Sequence, residues 1–295
     1  MEMTFEPVWN SLIAWYLFLA GMGGGAFITS AFLHWRHPHA VTMRKIGHVI
    51  APIAVAIGLV LLMFDAEGGL HNPLRFALLL HNPFSVMTWG VVFLAGFMVV
   101  SIVVLVLDIL KKGVPRWLEL VGAAFGLCVG MYTGALLGVV KTFPLWNTAL
   151  LPVLFLVSAM SAGAASVLLT AIFKHPEEFN RAGVLKKFHF CLPIIEFVLV
   201  AALLFVTMYN STAGFESVWS LVAGKWAPLF WVGLVAVGLV LPTVLECRLL
   251  FFSSKEFEES RTAHYISAAS DAAVLVGGFL LRFLIVMAAL PITVS

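Results

Sequence analysis

Eight runs of about twenty apolar residues constrain this protein more than any other feature. They occupy 12–34, 47–65, 85–110, 118–140, 148–173, 189–210, 227–252 and 265–290. A helix needs about 20 such residues to cross about 30 Å of hydrocarbon. Inside a bilayer the backbone must satisfy its own hydrogen bonds, so runs of this length become helices. The expected fold is all-α, a polytopic membrane protein with eight transmembrane helices. With 62% hydrophobic and 11% charged residues, the composition excludes an ordinary soluble enzyme and offers no basic stripe for nucleic acid. The first run lacks the basic n-region and small-residue cleavage site of a signal peptide, so it is expected to be retained.

Basic residues set the expected orientation. Alternate connections hold Arg36, Arg44 and Lys45; Lys111, Lys112 and Arg116; Lys174, Arg181, Lys186 and Lys187; and Arg248, Lys255 and Arg261. The opposite side holds only Arg75, Lys141 and Lys225, with Arg282 inside the last run. This bias places the basic connections in the cytoplasm and both termini outside.

The helices also carry a hidden duplication. MGGGAF (22–27) recurs as MSAGAA (160–165), and RHP (36–38) falls on KHP (174–176), both at an offset of 138. HVIAPI (48–53) matches HFCLPI (189–194) at 141, and Trp89 and Gly96 pair with Trp231 and Gly238 at 142. The ordered, slowly growing offset predicts two repeated four-helix bundles, 1–145 and 146–295, related by an axis normal to the membrane. Gly21, Gly23, Gly24 and Gly25 are expected mainly to let helix backbones approach closely, because lipid gives apolar helices no other reason to associate.

Ionisable groups in a span cost several kcal/mol, so each one asks for a reason. Near the outer face are Asp65, Glu67, Arg75, His81, Tyr132, Lys141 and Arg282, joined by Asn10, Trp15 and Tyr16 from the first helix. Toward the cytoplasm lie Asp108, Glu119, Glu196, Glu246 and Asp271. Asp108, Glu119 and Glu246 are close enough to the interface to read as solvated helix ends. Glu196 and Asp271 sit about two turns inside, roughly 10 Å, and are either structural hydrogen-bonding groups or the inner part of a proton path. Between Asp65 and Ser85, an apolar LRFALLL too short to span is flanked by two HNP triplets, which predicts an interfacial lid segment over the outer side.

The three cysteines (Cys128, Cys191, Cys247) lack CxxC spacing, so no metal site or iron–sulfur cluster is expected within the chain. His34, His48, His189 and His264 fall at cytoplasmic helix ends and no histidine pair lies deep in two spans, so no haem is expected.

YLFLAGMGGGAF (16–27), LRF followed by HNPFSVMTWG (74–76, 81–90), YTGALLGVVKTFPLWNTALLPVLFLVSAMSAGAA (132–165) and GGFLLRFLIVMAA (277–289) together resemble the NrfD/PsrC family. That family comprises membrane subunits of polysulfide reductase, nitrite reductase and related respiratory complexes, and the resemblance runs over essentially the whole chain. It implies a haem-free subunit of the cell inner membrane that binds menaquinone or ubiquinone. Iron–sulfur clusters would belong only to a partner, a ferredoxin-like four-cluster subunit on the outer face. That partner would lead to a catalytic subunit of molybdopterin or cytochrome c type. The family's quinone tyrosine corresponds to Tyr132; Asn10, Tyr16, Arg75 and Arg282 are the accompanying candidates for binding. Quinol oxidation also needs proton acceptors, for which Asp65, Glu67 and His81 are the candidates. Where family members have an acid–x–Gly–Arg–Pro pattern, this protein reads DAEGGLHNPLRF, which leaves Asp65 and Glu67 as alternatives. Phe279 stands opposite Tyr132 in the duplication, so one quinone site is expected. The competing class is a secondary transporter or proton channel built from the same parallel repeat.

Overall fold

A computed structural model describes residues 9–65, 81–82, 84–254, 257 and 260–292. Among them the chain is entirely helical: α1 (Ser11–Arg36), α2 (Val41–Asp65), α3 (Val86–Ile109), α4 (Arg116–Gly138), α5 (Leu150–Lys174), the short α6 (Pro176–Arg181), α7 (Gly183–Asn210), α8 (Thr212–Val222), α9 (Leu229–Phe252) and α10 (Arg261–Met287). Eight of these, all but α6 and α8, are long and apolar enough to span a bilayer, so the protein is a multi-pass membrane protein. The first half of α9, Leu229–Val240, is wound as a π-helix. The connections α1–α2, α3–α4, α5–α7 and α9–α10 gather at one end of the bundle, called here the basic end.

The glycines of α1 are explained by its neighbours. A methyl group on Gly25 would fall 1.9 Å from the Ala159 carbonyl oxygen of α5, and one on Gly24 would lie 2.8 Å from the Gly126 oxygen of α4. On Gly23 it would meet the Ala51 oxygen of α2 at 2.8 Å, and on Gly21 the Arg282 Nη2 of α10 at 2.9 Å. Four glycines thus face four different helices, and α1 is the central helix that α2, α4, α5 and α10 surround. Close backbone approach supplies the dispersion contacts that lipid cannot. Gly163 returns the contact, since its Cβ would lie 2.1 Å from the carbonyl carbon of Gly25.

Helices α2 and α7 each carry an internal proline, Pro52 and Pro193. Proline has no N–H, so the carbonyl four residues earlier loses its helical donor. Those residues are His48 and His189, both of which lie in the interior. At the basic end, the Glu178 carboxylate from α6 accepts hydrogen bonds from the backbone N–H groups of Thr42 (3.0 Å) and Met43 (2.9 Å), capping the start of α2. At the other end the α4–α5 connection is anchored on α10, where Trp146 Nε1 donates to the Ile285 carbonyl at 2.7 Å.

Candidate functional site and buried polar clusters

Toward the end opposite the basic one, α1 to α4 enclose a cavity of about 440 Å³. Ile13, Leu59, Leu62, Met87, Val91 and Leu94 are among its walls, which are almost wholly apolar. Into it face two phenols, Tyr16 from α1 and Tyr132 from α4, both buried in the bundle. A mostly apolar cavity of a few hundred cubic ångströms with a few convergent polar groups is the usual form of a small-molecule site. Tyr132 is held against α3, where a Cβ added to Gly90 would lie 1.8 Å from the phenol Cζ and 2.0 Å from its oxygen. Only glycine at position 90 leaves room for the ring in this position.

Two further polar groups lie nearer the basic end, each built round a proline-associated histidine. His48 of α2 is fully buried, with its Nδ1 2.5 Å from Asp108 Oδ2 of α3 and its Nε2 3.6 Å from Glu119 Oε1 of α4. The second oxygen of Glu119 is bonded to His34 of α1, and Arg44 approaches the other oxygen of Asp108 at 3.9 Å. In the other half of the chain, His189 Nε2 of α7 lies 3.3 Å from Glu246 Oε1 of α9 and 3.2 Å from Asp271 Oδ1 of α10. Each histidine therefore stands between one carboxylate from each of two helices. Between this second group and the far end, Arg282 is fully enclosed and bonds to Ser158 Oγ (2.9 Å), the Gly278 carbonyl (2.8 Å) and the Phe155 carbonyl (3.2 Å). Glu196 of α7 is buried with one carboxylate oxygen lacking a hydrogen-bond partner.

The sequence profile of the family described as Polysulphide reductase, NrfD matches residues 1–294. The chain belongs to the NrfD family. It is 35% identical over 279 residues to the C subunit of polysulfide reductase from Wolinella succinogenes, covering 84% of this chain and 86% of the relative. It is 29% identical over 313 residues to Protein NrfD of Escherichia coli, covering 95% and 94% of the two proteins. With a Haemophilus influenzae protein named Protein NrfD homolog the identity is 25% over 317 residues, covering 97% and 95%.

Within this NrfD-family protein, the structure brings together only part of the expected site. Tyr16 and Tyr132 line one cavity. Asn10 is exposed beside Trp9, which lines that cavity, and Asp65 ends α2 two residues beyond Met63, another lining residue. His81 is exposed and Arg282 is buried between α10 and α5, neither of them in the cavity wall. Glu67, Arg75 and most of the expected lid lie outside the described residues. Asp271 is grouped with His189 and Glu246, whereas Glu196 lies further along α7.

One expectation is corrected. Asp108, Glu119 and Glu246 are not solvated helix ends: Glu119 is 0% and Asp108 9% exposed, and the Glu246 side chain is 12% exposed. Helices α2 and α7 begin at Val41 and Gly183, ahead of the expected runs, so His48 and His189 stand inside their helices and meet these acids on the neighbouring ones. A signal for this existed in the matching HVIAPI and HFCLPI segments, which put a histidine one turn before a proline in each half. Gly90, by contrast, had no signal, because its role depends on which ring packs against it.

Proposed function

We propose that this protein is the membrane subunit through which an oxidoreductase complex exchanges electrons with menaquinone or ubiquinone. The observation that carries the reading is the apolar cavity of about 440 Å³ into which the Tyr16 and Tyr132 phenols converge. Its volume and apolar walls suit a quinone ring and the start of its isoprenoid tail, and a hydroxyl can donate to or accept from a ring oxygen. When bound, quinol supplies two electrons and two protons. Tyr132 orients the ring from α4 and Tyr16 contacts it from α1, while the methionine and leucine walls exclude water. Protons leave toward the nearer membrane surface by way of Asp65 at the end of α2, with Glu67 and His81 as further acceptors. The electrons then need a carrier in another subunit, and a ferredoxin-like iron–sulfur protein is assigned to the face over this cavity. Beyond it comes a catalytic subunit of molybdopterin or cytochrome c type. The relative at 35% identity is named as one of the subunits of a polysulfide reductase.

By the distribution of lysine and arginine the basic end faces the cytoplasm of a cell with this protein in its inner membrane, and the cavity faces the periplasm. The duplication into 1–145 and 146–295 is supported by Gly25 and Gly163, which correspond at an offset of 138 and touch each other. Contact between equivalent residues is what an axis between the halves requires.

Tyr132→Phe tests the reading, since it removes one hydroxyl and leaves the ring. In the purified complex, quinol turnover is expected to fall about tenfold or more, the equivalent of one lost hydrogen bond to a reacting group. Assembly with the partner subunits should persist. Turnover equal to wild type would refute the assignment.

A further inference from the structure

We infer that His189, Glu246 and Asp271 bind a divalent transition-metal ion, zinc being the one their donor set fits best. The site is independent of the quinone reading, because it lies on other helices toward the other end of the bundle. Each ligand comes from a different helix (α7, α9 and α10), and one donor atom of each lies within 4.8 Å of the other two. His189 Nε2 stands 3.3 Å from Glu246 Oε1 and 3.2 Å from Asp271 Oδ1. Both approaches are at ion-pair distance, but Glu246 Oε2, Asp271 Oδ2 and both ring nitrogens of His189 are buried without a well-aligned hydrogen-bond partner. Glu246 Oε1 accepts from the Ser270 hydroxyl at 3.2 Å, which holds the carboxylate in place and leaves its other oxygen free. Ligand-type atoms that converge at 3.2–3.3 Å with poor hydrogen-bond alignment are explained if they share a third body. Two ligands about 2.1 Å from one ion and about 100° apart lie about 3.2 Å from each other. All three side chains line a small cavity of about 30 Å³, which is room for a single ion or water.

The His48 group shows what a closed cluster looks like. There Nδ1 bonds Asp108 at 2.5 Å and Glu119 bonds His34, so each carboxylate has a histidine partner, and only His48 Nε2 and Glu119 Oε1, 3.6 Å apart, are left without one. Among the described residues, His189, Glu246 and Asp271 form the only trio with metal-ligand spacing.

Charge and ligand type narrow the ion. A neutral imidazole and two carboxylates carry two negative charges. A divalent ion matches those two charges once the imidazole is neutral, as a metal ligand must be, and Lys186 lines the same cavity with its Nζ 3.7 Å above the Phe179 ring. Buried unbalanced charge is costly. A nitrogen donor disfavours magnesium and calcium, which take oxygen ligands, and the absence of a thiolate from the trio disfavours copper(I). Zinc accepts imidazole and carboxylate ligands, and three protein ligands with a fourth position open is its usual arrangement outside closed structural sites. The ion would tie α7, α9 and α10 together, holding Glu246 on the α-helical second half of α9, Leu241–Phe252.

The test uses the tag-free, detergent-solubilised complex, dialysed against zinc and then against zinc-free buffer. Elemental analysis should find about one zinc per protein more in wild type than in His189→Ala or Asp271→Asn. Glu119→Gln, in the other cluster, should retain the wild-type zinc content. Equal zinc in wild type and both variants overturns the proposal. If the variants do not assemble, zinc-edge X-ray absorption of the wild-type complex decides. A shell of nitrogen and oxygen that includes one imidazole supports the site, and either no retained zinc or a sulfur-dominated shell overturns it.

Discussion

Gly90→Ala offers a sharper test of the cavity than any change to the tyrosines themselves. The new methyl would lie 1.8 Å from Tyr132 Cζ and 2.0 Å from its hydroxyl oxygen. Carbon atoms in contact settle at about 3.5 Å or more, so the ring must retreat by about 1.7 Å or α3 and α4 must separate by as much. A hydroxyl hydrogen bond of about 2.7–2.8 Å does not survive a shift of that size. The loss is worth about 1 kcal/mol, rising to about 3 if the partner is left unpaired in a dry cavity. In kcat/KM for quinol this is a fall of about five- to 150-fold. The phenol is still present, so the effect would come from position alone. Steady-state quinol oxidation by the solubilised complex, over a range of quinol concentrations, measures it. Gly58→Ala is the matched control, because its methyl would sit at 3.4 Å from Leu19 Cβ and the Tyr16 carbonyl, an ordinary contact, and it should change kcat/KM less than about twofold. The double variant Gly90→Ala/Tyr132→Phe supplies the refutation. If Gly90 acts through the Tyr132 hydroxyl, the two losses are strongly non-additive. Additive losses, or a Gly90→Ala enzyme as active as wild type, would refute the reasoning.

Other expectations follow from single contacts. Gly163→Leu puts a side chain where a Cβ already lies 2.1 Å from the Gly25 carbonyl carbon; α1 and α5 cannot close, and the amount of folded protein in membranes, measured by detergent gel filtration, should collapse. Glu178→Ala removes the carboxylate that receives the Thr42 and Met43 N–H groups, so thermal unfolding in detergent should show a loss of about 1 kcal/mol, with Glu178→Gln losing less. Trp146→Phe deletes the 2.7 Å bond to the Ile285 carbonyl and should lower stability by about 1–2 kcal/mol with little change in quinol turnover.

The spans were legible because the hydrocarbon core imposes a length that hydropathy reads directly. The expected runs 12–34 and 148–173 become Ser11–Arg36 and Leu150–Lys174. The larger misses, 47–65 against Val41–Asp65 and 189–210 against Gly183–Asn210, share one cause. Hydropathy stops at Arg44, Lys45, Lys186 and Lys187, whereas helical hydrogen bonding continues through them into the interface. The short α6 and α8 are too brief to announce themselves as spans, and α8 begins where Ser211 caps the Gly214 N–H at 3.0 Å, a local signal in a long connection. The π-winding of α9 has no counterpart in composition, which is as apolar there as in any α-helical span.

The site was only partly legible, for a different reason. Tyr16 and Tyr132 could be named because a hydroxyl inside an apolar run is conspicuous. That they share one cavity depends on α1 lying against α4, which the Gly24–Gly126 contact permits and which neither run states alone. The acids were misjudged by the same limitation. Depth along a helix can be counted in residues, but whether Glu119 meets water or His34 and His48 is decided by the neighbours that rotate toward it. Cost then separates the two ends of the bundle. At the cavity end the lining is apolar but for the Tyr16 and Tyr132 phenols, so a hydrophobic ligand there would displace no bound charge. Toward the basic end, Asp108, Glu119 and His48 in one cluster and Glu246, Asp271 and His189 in the other are all largely withdrawn from solvent. Charges so placed are retained only if they are paired or ligated. In the first cluster Asp108 and Glu119 each bond a histidine, whereas in the second Glu246 Oε2 and Asp271 Oδ2 have no hydrogen-bond partner, and the proposed cation would complete them.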